Sequence, residues 1–294
     1  MTGYLAAEGF LKELLHELGD GVRDVRERLV LHDGPPRAAA WAQNVWHDPL
    51  EIAFSSVGEA AKALRAIQRN WALYSTTEHR RAALIAEKLP YVSAKPVGFP
   101  GPLPIAPLGS WTLLDRSRLL AAAHCSSPFP NGEVRFVEDR EGPPNRAYLK
   151  LWEALTLLER RPQAGELCVD LGASPGGWTW ALAKLGARVV SVDRAPLDPR
   201  VAPFAEHRLE SAFGIKPFDV DWLFCDVVCY PDRLLALARR WLPHARNMVF
   251  TVKFQGETDH AAAQAFAAIP GSRLAHLFHN KHELTWMRVS AGGA

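Results

Sequence analysis

Residues 168–182 read CVDLGASPGGWTWAL. The apolar start predicts a short buried strand, and the segment from Gly177 onward predicts a helix. Between them, Gly172, Gly176 and Gly177 allow the backbone to approach a bound ligand closely. A strand, a glycine-rich turn and a helix in succession are typical of α/β folds that bind nucleotides. This stretch therefore predicts an α/β architecture with a ligand loop at the turn.

The chain on either side of this loop alternates regularly between strands and helices. We expect helices at 145–160, 177–184, 232–242 and 260–268, and strands at 167–171, 188–192, 220–227, 247–254, 273–278 and 284–289. Such alternation favours a parallel sheet covered by helices on both faces. The connection between the last two strands is too short for a crossover helix, so the last strand is expected to be antiparallel.

The N-terminal part predicts a smaller mixed α/β region. We expect helices at 5–18, 59–68 and 80–89, strands at 28–32, 39–46 and 50–54, and a hairpin formed by 111–115 and 119–124. Segments rich in proline and glycine, at 93–110 and 126–145, exclude regular helix or central strand there. We therefore predict two domains, an accessory domain at 1–126 and a catalytic domain at 127–294.

The composition excludes several protein classes. Of 294 residues, 48% are hydrophobic and 22% are charged, which excludes a disordered chain, a collagen and a coiled coil. No apolar run is long enough to span a membrane, and the N-terminus lacks the basic segment of a secretory signal. Four cysteines without a CxxC pair indicate reduced thiols, a cytoplasmic location and no metal site. A net charge of +2 neither requires nor excludes a nucleic-acid partner.

The glycine-rich loop has three interpretations. Asp193 closes the next predicted strand, where an acid can bind the ribose hydroxyls of an adenosine-containing cofactor. A dinucleotide would require the spacing G-x-G-x-x-G, and Asp170 in the loop mouth would repel its pyrophosphate. The same carboxylate suits the cationic amine of S-adenosylmethionine. The third interpretation is a tight turn that binds nothing.

Four dispersed charged residues fall at one edge of the predicted sheet. Asp226 and Lys253 lie at the ends of two strands, and Glu283 begins the antiparallel one. Lys150 lies on the helix before the first strand. Ligands of open α/β sheets bind beyond the carboxyl ends of the parallel strands. Each residue alone could form a surface salt bridge, but together they predict a cleft with two lysines and two acids.

These residues carry a resemblance to a known family. The order Lys150, Asp226, Lys253, Glu283, with DLGASPGGWT between the first two, resembles the FtsJ/RrmJ-type RNA 2′-O-ribose methyltransferases and their K-D-K-E tetrad. The phrases CDVV and VKFQGE are similar to segments of the same family. The stretch SSPFPNGEVRF followed by NRAYLKLWEAL resembles the RlmM subgroup, which modifies 23S rRNA. The resemblance implies a Rossmann-like methyltransferase sheet, mostly parallel with the last strand antiparallel. It also implies a smaller N-terminal α/β domain, THUMP-like but shortened.

The resemblance also implies a cofactor and its site. S-adenosylmethionine would lie over the loop, with Asp193 on the ribose and Asp226 near the donor methyl. The family has an acid on the adenine near the third strand, where this chain has Ser211, so that Glu210 or a backbone group would substitute. The expected cofactor-binding residues are Asp170, Gly172, Ala173, Ser174, Pro175, Gly176, Gly177, Trp178, Asp193 and Asp226.

The tetrad predicts activation of a ribose hydroxyl. Lys253 is our candidate to deprotonate the 2′-OH, with Asp226 holding it and Lys150 and Glu283 completing the network. A neighbouring lysine or a dry site would lower the pKa of a lysine, but the sequence does not decide which lysine takes the proton. The residues after Asp226 lack the Pro-Pro-aromatic motif typical of base-amine methylation. Alternatives are another RNA, a non-RNA substrate, a silent RNA-binding protein and a nicotinamide oxidoreductase.

Basic residues of the first domain predict contacts with an RNA substrate, expected to be ribosomal. Lys62, Arg65 and Arg69 share one helix face, and Arg80 and Arg81 follow. Such a face can bind phosphates, although a solvated helix face has the same composition. Four tryptophans could stack on bases, but in a small α/β domain they more often form the core. These are Trp41, Trp46, Trp71 and Trp111.

Overall fold

A computed structural model describes residues 1–290 of the chain. These residues form two compact units, which we describe separately. The N-terminal unit comprises residues 1–97 and 103–135, and the C-terminal unit comprises residues 98–102 and the chain from Phe136 onward. No helix among the described residues is both long and apolar enough to cross a membrane.

The N-terminal unit contains two sheets. Its elements are β1 (Thr2–Ala6), α1 (Leu11–Leu18), β2 (Val22–Arg26), β3 (Leu29–His32), β4 (Ala42–His47), β5 (Leu50–Ala53), α2 (Val57–Ile67), β6 (Trp71–Leu73), α3 (His79–Ala86), β7 (Gly109–Leu113), β8 (Arg118–Ala122) and β9 (His124–Cys125). The five-stranded sheet has the order β2-β3-β1-β4-β9, and the four-stranded sheet has the order β5-β8-β7-β6. Helices α2 and α3 share a core with the second sheet.

Two expectations for this unit differ from the structure. The predicted helix 5–18 begins only at Leu11, because residues 2–6 form the central strand of the first sheet and are buried on both faces. Burial of both faces removes the alternation that identifies a strand. The predicted domain boundary after residue 126 also differs, since the chain remains with the N-terminal unit through Arg135. The Arg135 carbonyl accepts a hydrogen bond from Val97 there.

The C-terminal unit is a seven-stranded sheet flanked by helices. Its elements are α4 (Tyr148–Leu157), β10 (Leu167–Leu171), α5 (Gly177–Lys184), β11 (Arg188–Asp193), β12 (Ala205–Leu209), β13 (Val220–Cys225), α6 (Pro231–Trp241), β14 (Ala245–Lys253), α7 (His260–Ala267), β15 (Ser272–Ala275) and β16 (Glu283–Arg288). The strand order is β12-β11-β10-β13-β14-β16-β15. Strands β10 to β14 are parallel, and β16 is antiparallel to both β14 and β15.

This sheet confirms the predicted Rossmann-like fold with an antiparallel last strand. Strand β12 is the element that the sequence did not reveal. It lies at the sheet edge, its sequence AEHRL is polar, and most of its side chains are partly or fully exposed. An edge strand of this kind lacks the apolar run by which the other strands are recognised.

Candidate active site at the carboxyl edge of the sheet

The four predicted tetrad residues meet in one ion-pair network. Lys150 Nζ lies 2.7 Å from Glu283 Oε1 and 3.2 Å from Asp226 Oδ1. Lys253 Nζ lies 3.0 Å from the same Asp226 oxygen and donates a hydrogen bond of 2.6 Å to the Asp226 backbone carbonyl. The Asp226 carboxylate therefore bridges the two lysines.

The topology of the sheet brings these residues together. Asp226 immediately follows β13, and Lys253 is the last residue of β14. Glu283 begins β16 and is the register partner of Lys253 in the antiparallel pair. Lys150 lies in the first turn of α4 and is only 7% exposed. Strand ends and a helix thus place two ammonium groups and two carboxylates at the carboxyl edge of the parallel strands.

The network fixes the charge state of Lys150. Burial alone would lower the pKa of this lysine, but the carboxylates of Asp226 and Glu283 outweigh burial and raise it. Burial would likewise raise the pKa of Asp226, yet Lys150 and Lys253 lower it below its ordinary value. The expectation of a lowered lysine pKa is therefore wrong for Lys150, which is held as an ammonium ion. The side chain of Lys253 is more exposed than that of Lys150, 18% against 9%.

The loop between β10 and α5 allows a close approach to the backbone. Gly172 has a φ of +79°, and a Cβ at this position would lie 2.6 Å from Val227 Cγ2. Gly176 has a φ of +116° and precedes α5, whose first turn has no side-chain cap. A bare helix start with free N–H groups beside a glycine turn can receive polar atoms of a ligand.

Asp170 is buried beneath this loop with one oxygen unsatisfied. Its Oδ2 accepts a hydrogen bond of 2.7 Å from Thr179 Oγ1, and Oδ1 has no partner among the described residues. Burial, with smaller contributions from the charges of Asp226 and Asp193, raises the pKa of Asp170 to about 7. An acid with a spare acceptor fits a ligand with a positive charge and does not fit a pyrophosphate.

Asp193 lies at the mouth of the same loop. Its carboxylate accepts hydrogen bonds from the backbone of Ser174, at 3.2 Å, and of Ala195, at 2.9 Å. The Trp178 side chain points elsewhere: it is buried, and its indole N–H donates to the Ala147 carbonyl at 2.9 Å. Trp178 therefore contributes only its backbone to the loop, whereas Asp193 presents a partly exposed carboxylate to it.

The comparison with known families matches this part of the chain. Residues 143–257 match the model of the FtsJ-like methyltransferase family. This segment is similar to FtsJ-like methyltransferase domains. It contains the glycine loop and three of the four tetrad residues, and β16 brings Glu283 to them.

Curated relatives of the FtsJ-like domain are named ribosomal RNA large subunit methyltransferase M. The relative from Halorhodospira halophila is 40% identical over 170 residues, covering 53% of this chain and 50% of its own length. That from Alkalilimnicola ehrlichii is 36% identical over 193 residues, covering 59% and 53%. The chain thus spans about half the length of these relatives. A putative ribosomal RNA methyltransferase structure from Plasmodium falciparum is 12% identical, with a TM-score of 0.39 and coverage of 50% of this chain and 97% of its own.

Residues near the predicted adenine contact lie after β12. The Ser211 hydroxyl accepts a hydrogen bond of 3.3 Å from the Phe213 backbone, which uses it within the local turn. Glu210 is partly exposed, and its backbone donates to the Arg208 carbonyl at 2.9 Å. Which of these groups contacts an adenine stays a prediction.

The predicted basic cluster lies on α2 and α3, except for Arg69, which follows the end of α2 and so does not share a helix face with Lys62 and Arg65. Arg65 donates to the Lys88 carbonyl, and the Arg81 guanidinium lies 5.3 Å from the ring centre of Phe54. The remaining three cluster residues are exposed: Lys62, Arg69 and Arg80. The four tryptophans considered for base stacking are all buried, which assigns them to the core. The role of this cluster in RNA binding stays a prediction.

Glu153 and His279 form a pair beside the tetrad that was not predicted from the sequence. Glu153, one helical turn after Lys150, accepts hydrogen bonds from the backbones of Phe278, at 2.7 Å, and His279, at 3.0 Å. Its Oε2 also lies 2.6 Å from His279 Nδ1. Glu153 thus anchors the loop that leads into Glu283. The available signal was an acid in a largely apolar helix, YLKLWEALTL, one turn after Lys150.

Proposed function

We propose that the FtsJ-like domain transfers a methyl group from S-adenosylmethionine to a ribose 2′-hydroxyl of RNA, and that the RNA is large-subunit ribosomal RNA. The observation that carries the proposal is the network of Lys150, Asp226, Lys253 and Glu283 beside the glycine loop. The names of the curated relatives support the choice of ribosomal RNA.

The loop residues fit the proposed cofactor. S-adenosylmethionine, when bound, supplies an electrophilic methyl group on a positively charged sulfur. The backbone of residues 172–177 would hold it, with Asp193 on its hydroxyls and the buried carboxyl of Asp170 favouring its positive charge. The unsatisfied Oδ1 of Asp170 supports a cationic ligand over a dinucleotide.

The two lysines have different tasks in this mechanism. Lys150, paired with two carboxylates, remains an ammonium ion and holds Asp226 and Glu283 in place. Lys253, the more exposed lysine, gives a proton to solvent, and its Nζ then accepts the proton of the 2′-hydroxyl. The Asp226 oxygens fix the position of that amine. After transfer, Lys253 loses the extra proton to solvent.

The sequence around Asp226 favours a hydroxyl over a base amine as the acceptor. Asp226 is followed by Val-Val-Cys-Tyr, without the paired prolines that shape an amine-binding turn. The tetrad supplies a proton acceptor, which a weakly nucleophilic hydroxyl requires. The 2′-hydroxyl is the free hydroxyl of an internal RNA nucleotide.

A deoxy substitution tests the proposal. The purified chain is incubated with methyl-tritiated S-adenosylmethionine and ribosomal RNA fragments, and the modified nucleotide is mapped. The same fragment carrying a 2′-deoxy nucleotide at that position should bind with similar affinity, because phosphates dominate binding, and should accept no methyl group. Methylation that persists on the deoxy fragment would assign the methyl group to a base and refute the proposal.

A further inference from the structure

The connection between β13 and α6 exposes two large apolar side chains beside the tetrad. Val228 and Tyr230 are each 70% exposed, although they follow Asp226 by two and four positions. The alternate residues point inward: Cys229 is 8% exposed, and Val227 packs against Gly172. Buried and exposed side chains therefore alternate along the connection, with Val227 on the glycine loop and an apolar side toward solvent.

The backbone of this connection is held at both ends. Asp226 N donates to the Leu171 carbonyl at 3.1 Å, and the Asp226 carbonyl accepts from Lys253 Nζ. Tyr230 is extended, with φ −66° and ψ 144°, and the following Pro231 restricts it to such conformations. The Tyr230 carbonyl also accepts a hydrogen bond from Leu234 N, in the first turn of α6. The exposed ring is thus presented from a fixed position.

Positive charge lies close to this connection. Arg233, three residues after Tyr230, is exposed, and its guanidinium lies 3.8 Å from the ring centre of Phe213. The charges of Arg233 and Lys253 both act on the Cys229 thiol, opposing the burial that raises its pKa. Asp232 is the acidic residue of the same helical turn. Arg233 and the tetrad residue Lys253 thus both bring positive charge to Cys229, the residue between Val228 and Tyr230.

We infer that Tyr230, with Val228 beside it, is a stacking platform for a nucleobase of the RNA strand whose ribose enters the tetrad. The inference rests on the proposed function and names a contact of that same site. One aromatic ring and one valine are far too small for a protein interface. They match the face of a single base, and stacking on an aromatic ring is a main source of affinity for unpaired RNA. Arg233 is placed to contact an adjoining phosphate.

Substitutions of Tyr230 test the platform. Tyr230→Ala should raise the KM for RNA about tenfold, equivalent to about 1.4 kcal/mol, while kcat and the calorimetric affinity for S-adenosylmethionine stay within about twofold. Tyr230→Phe keeps the ring and should behave as the wild type. Phe204→Ala is the matched control, because Phe204 is 58% exposed and directly precedes β12. It therefore lies at the amino ends of the parallel strands, whereas the tetrad lies at their carboxyl ends. The control should leave every parameter unchanged.

A binding measurement keeps the inference testable without turnover. Tyr230→Trp introduces a tryptophan whose fluorescence is obtained by subtracting the wild-type signal. This fluorescence should be quenched when an RNA oligonucleotide binds. Absence of quenching, or an unchanged KM in Tyr230→Ala, would overturn the platform and leave the proposed function intact. An equal loss of cofactor affinity would also overturn it, because Tyr230 would then support the fold. A wild type that binds RNA without methylating it would refute the proposed function alone.

Discussion

Glu283 Oε1 lies 2.7 Å from Lys150 Nζ, so the first strand residue of β16 neutralises a lysine buried in α4. Lys150 is also paired with Asp226, whereas Lys253 has Asp226 as its carboxylate partner within 4 Å among the described residues. Among the described residues, Lys150 is therefore paired with two carboxylates and Lys253 with one. This difference predicts different consequences for their removal.

Removal of Lys253 should abolish the chemistry without loss of the cofactor. We expect Lys253→Ala to lower kcat by about 10²–10⁴, the usual contribution of a general base, with calorimetric affinity for S-adenosylmethionine unchanged. Lys253→Arg should not restore turnover, because a guanidinium cannot give up its proton. The exposed Lys216→Ala serves as the control. Near-normal turnover of Lys253→Ala would remove this residue from the catalytic role.

Removal of Lys150 should instead destabilise the domain. Lys150→Ala leaves the carboxylates of Asp226 and Glu283 buried without this partner, which typically costs about 3–5 kcal/mol. We expect a clearly larger fall in the free energy of unfolding than for Lys253→Ala, measured by urea denaturation at neutral pH. Equal losses in both variants would contradict the assignment of Lys150 as the structural cation.

The raised pKa of Asp170 should make the stability of the protein depend on pH. Its pKa is about 7 in the folded protein against an ordinary value of 3.8, so the folded state binds more protons between these values. Stability from this group is therefore full below pH 3.8 and falls as the pH rises toward 7. Asp170→Asn should melt higher than the wild type at pH 8, with a smaller difference at pH 5. A difference in melting temperature that is the same at both pH values would contradict this.

The Glu153 anchor should affect turnover through the position of Glu283. In Glu153→Gln one oxygen becomes an NH₂ group that faces an N–H donor of residues 278–279, which costs about 1–3 kcal/mol of stability. We expect a lower kcat with an unchanged KM for RNA. Glu159→Gln, exposed in the turn after the same helix, should alter neither. A change confined to KM would argue against this role.

The exposed basic residues of the N-terminal unit should add electrostatic affinity for RNA. Changing Lys62, Arg69 and Arg80 to glutamate should weaken RNA binding. The slope of the logarithm of the binding constant against the logarithm of the salt concentration should become shallower by roughly 0.7–0.9 per lost phosphate contact. Lys12→Glu, an exposed change on α1, provides the control. A salt dependence identical to that of the wild type would show that this face does not touch RNA.

The tetrad residues could be predicted from the sequence because the topology of a parallel sheet brings the ends of its strands together. Parallel strands end at one edge, so Asp226 and Lys253 had to be close, and the antiparallel β16 added Glu283. The charge state of Lys150 could not be predicted from the sequence. It depends on whether attraction to two nearby carboxylates outweighs the cost of burying the charge, and the sequence does not give those distances. Glu153 was missed because its partners are backbone N–H groups, which no residue type reveals.

Elements were missed where tertiary contacts override local pattern. Residues 2–6 are apolar and lead into a helical pattern, yet they pair on both sides as a central strand. β12 is polar and partly exposed, so its pairing with β11 decides its structure rather than its composition. In both cases the strands that pair with the segment, and not its own residue types, determine that it forms a strand.

The position of β16 between β14 and β15 has a consequence for how the protein folds. Asp226 follows Lys150 by 76 residues, and the partners of Glu153 lie 125 residues or more beyond it. Contacts between such distant segments form slowly, because a long loop must close before they are gained. Until β16 inserts, Lys150, Asp226 and Lys253 carry an uncompensated positive charge at the sheet edge. We therefore expect the complete four-residue network to arise in the final, cooperative stage of folding, so that, under the proposed function, partly folded chains would not methylate RNA.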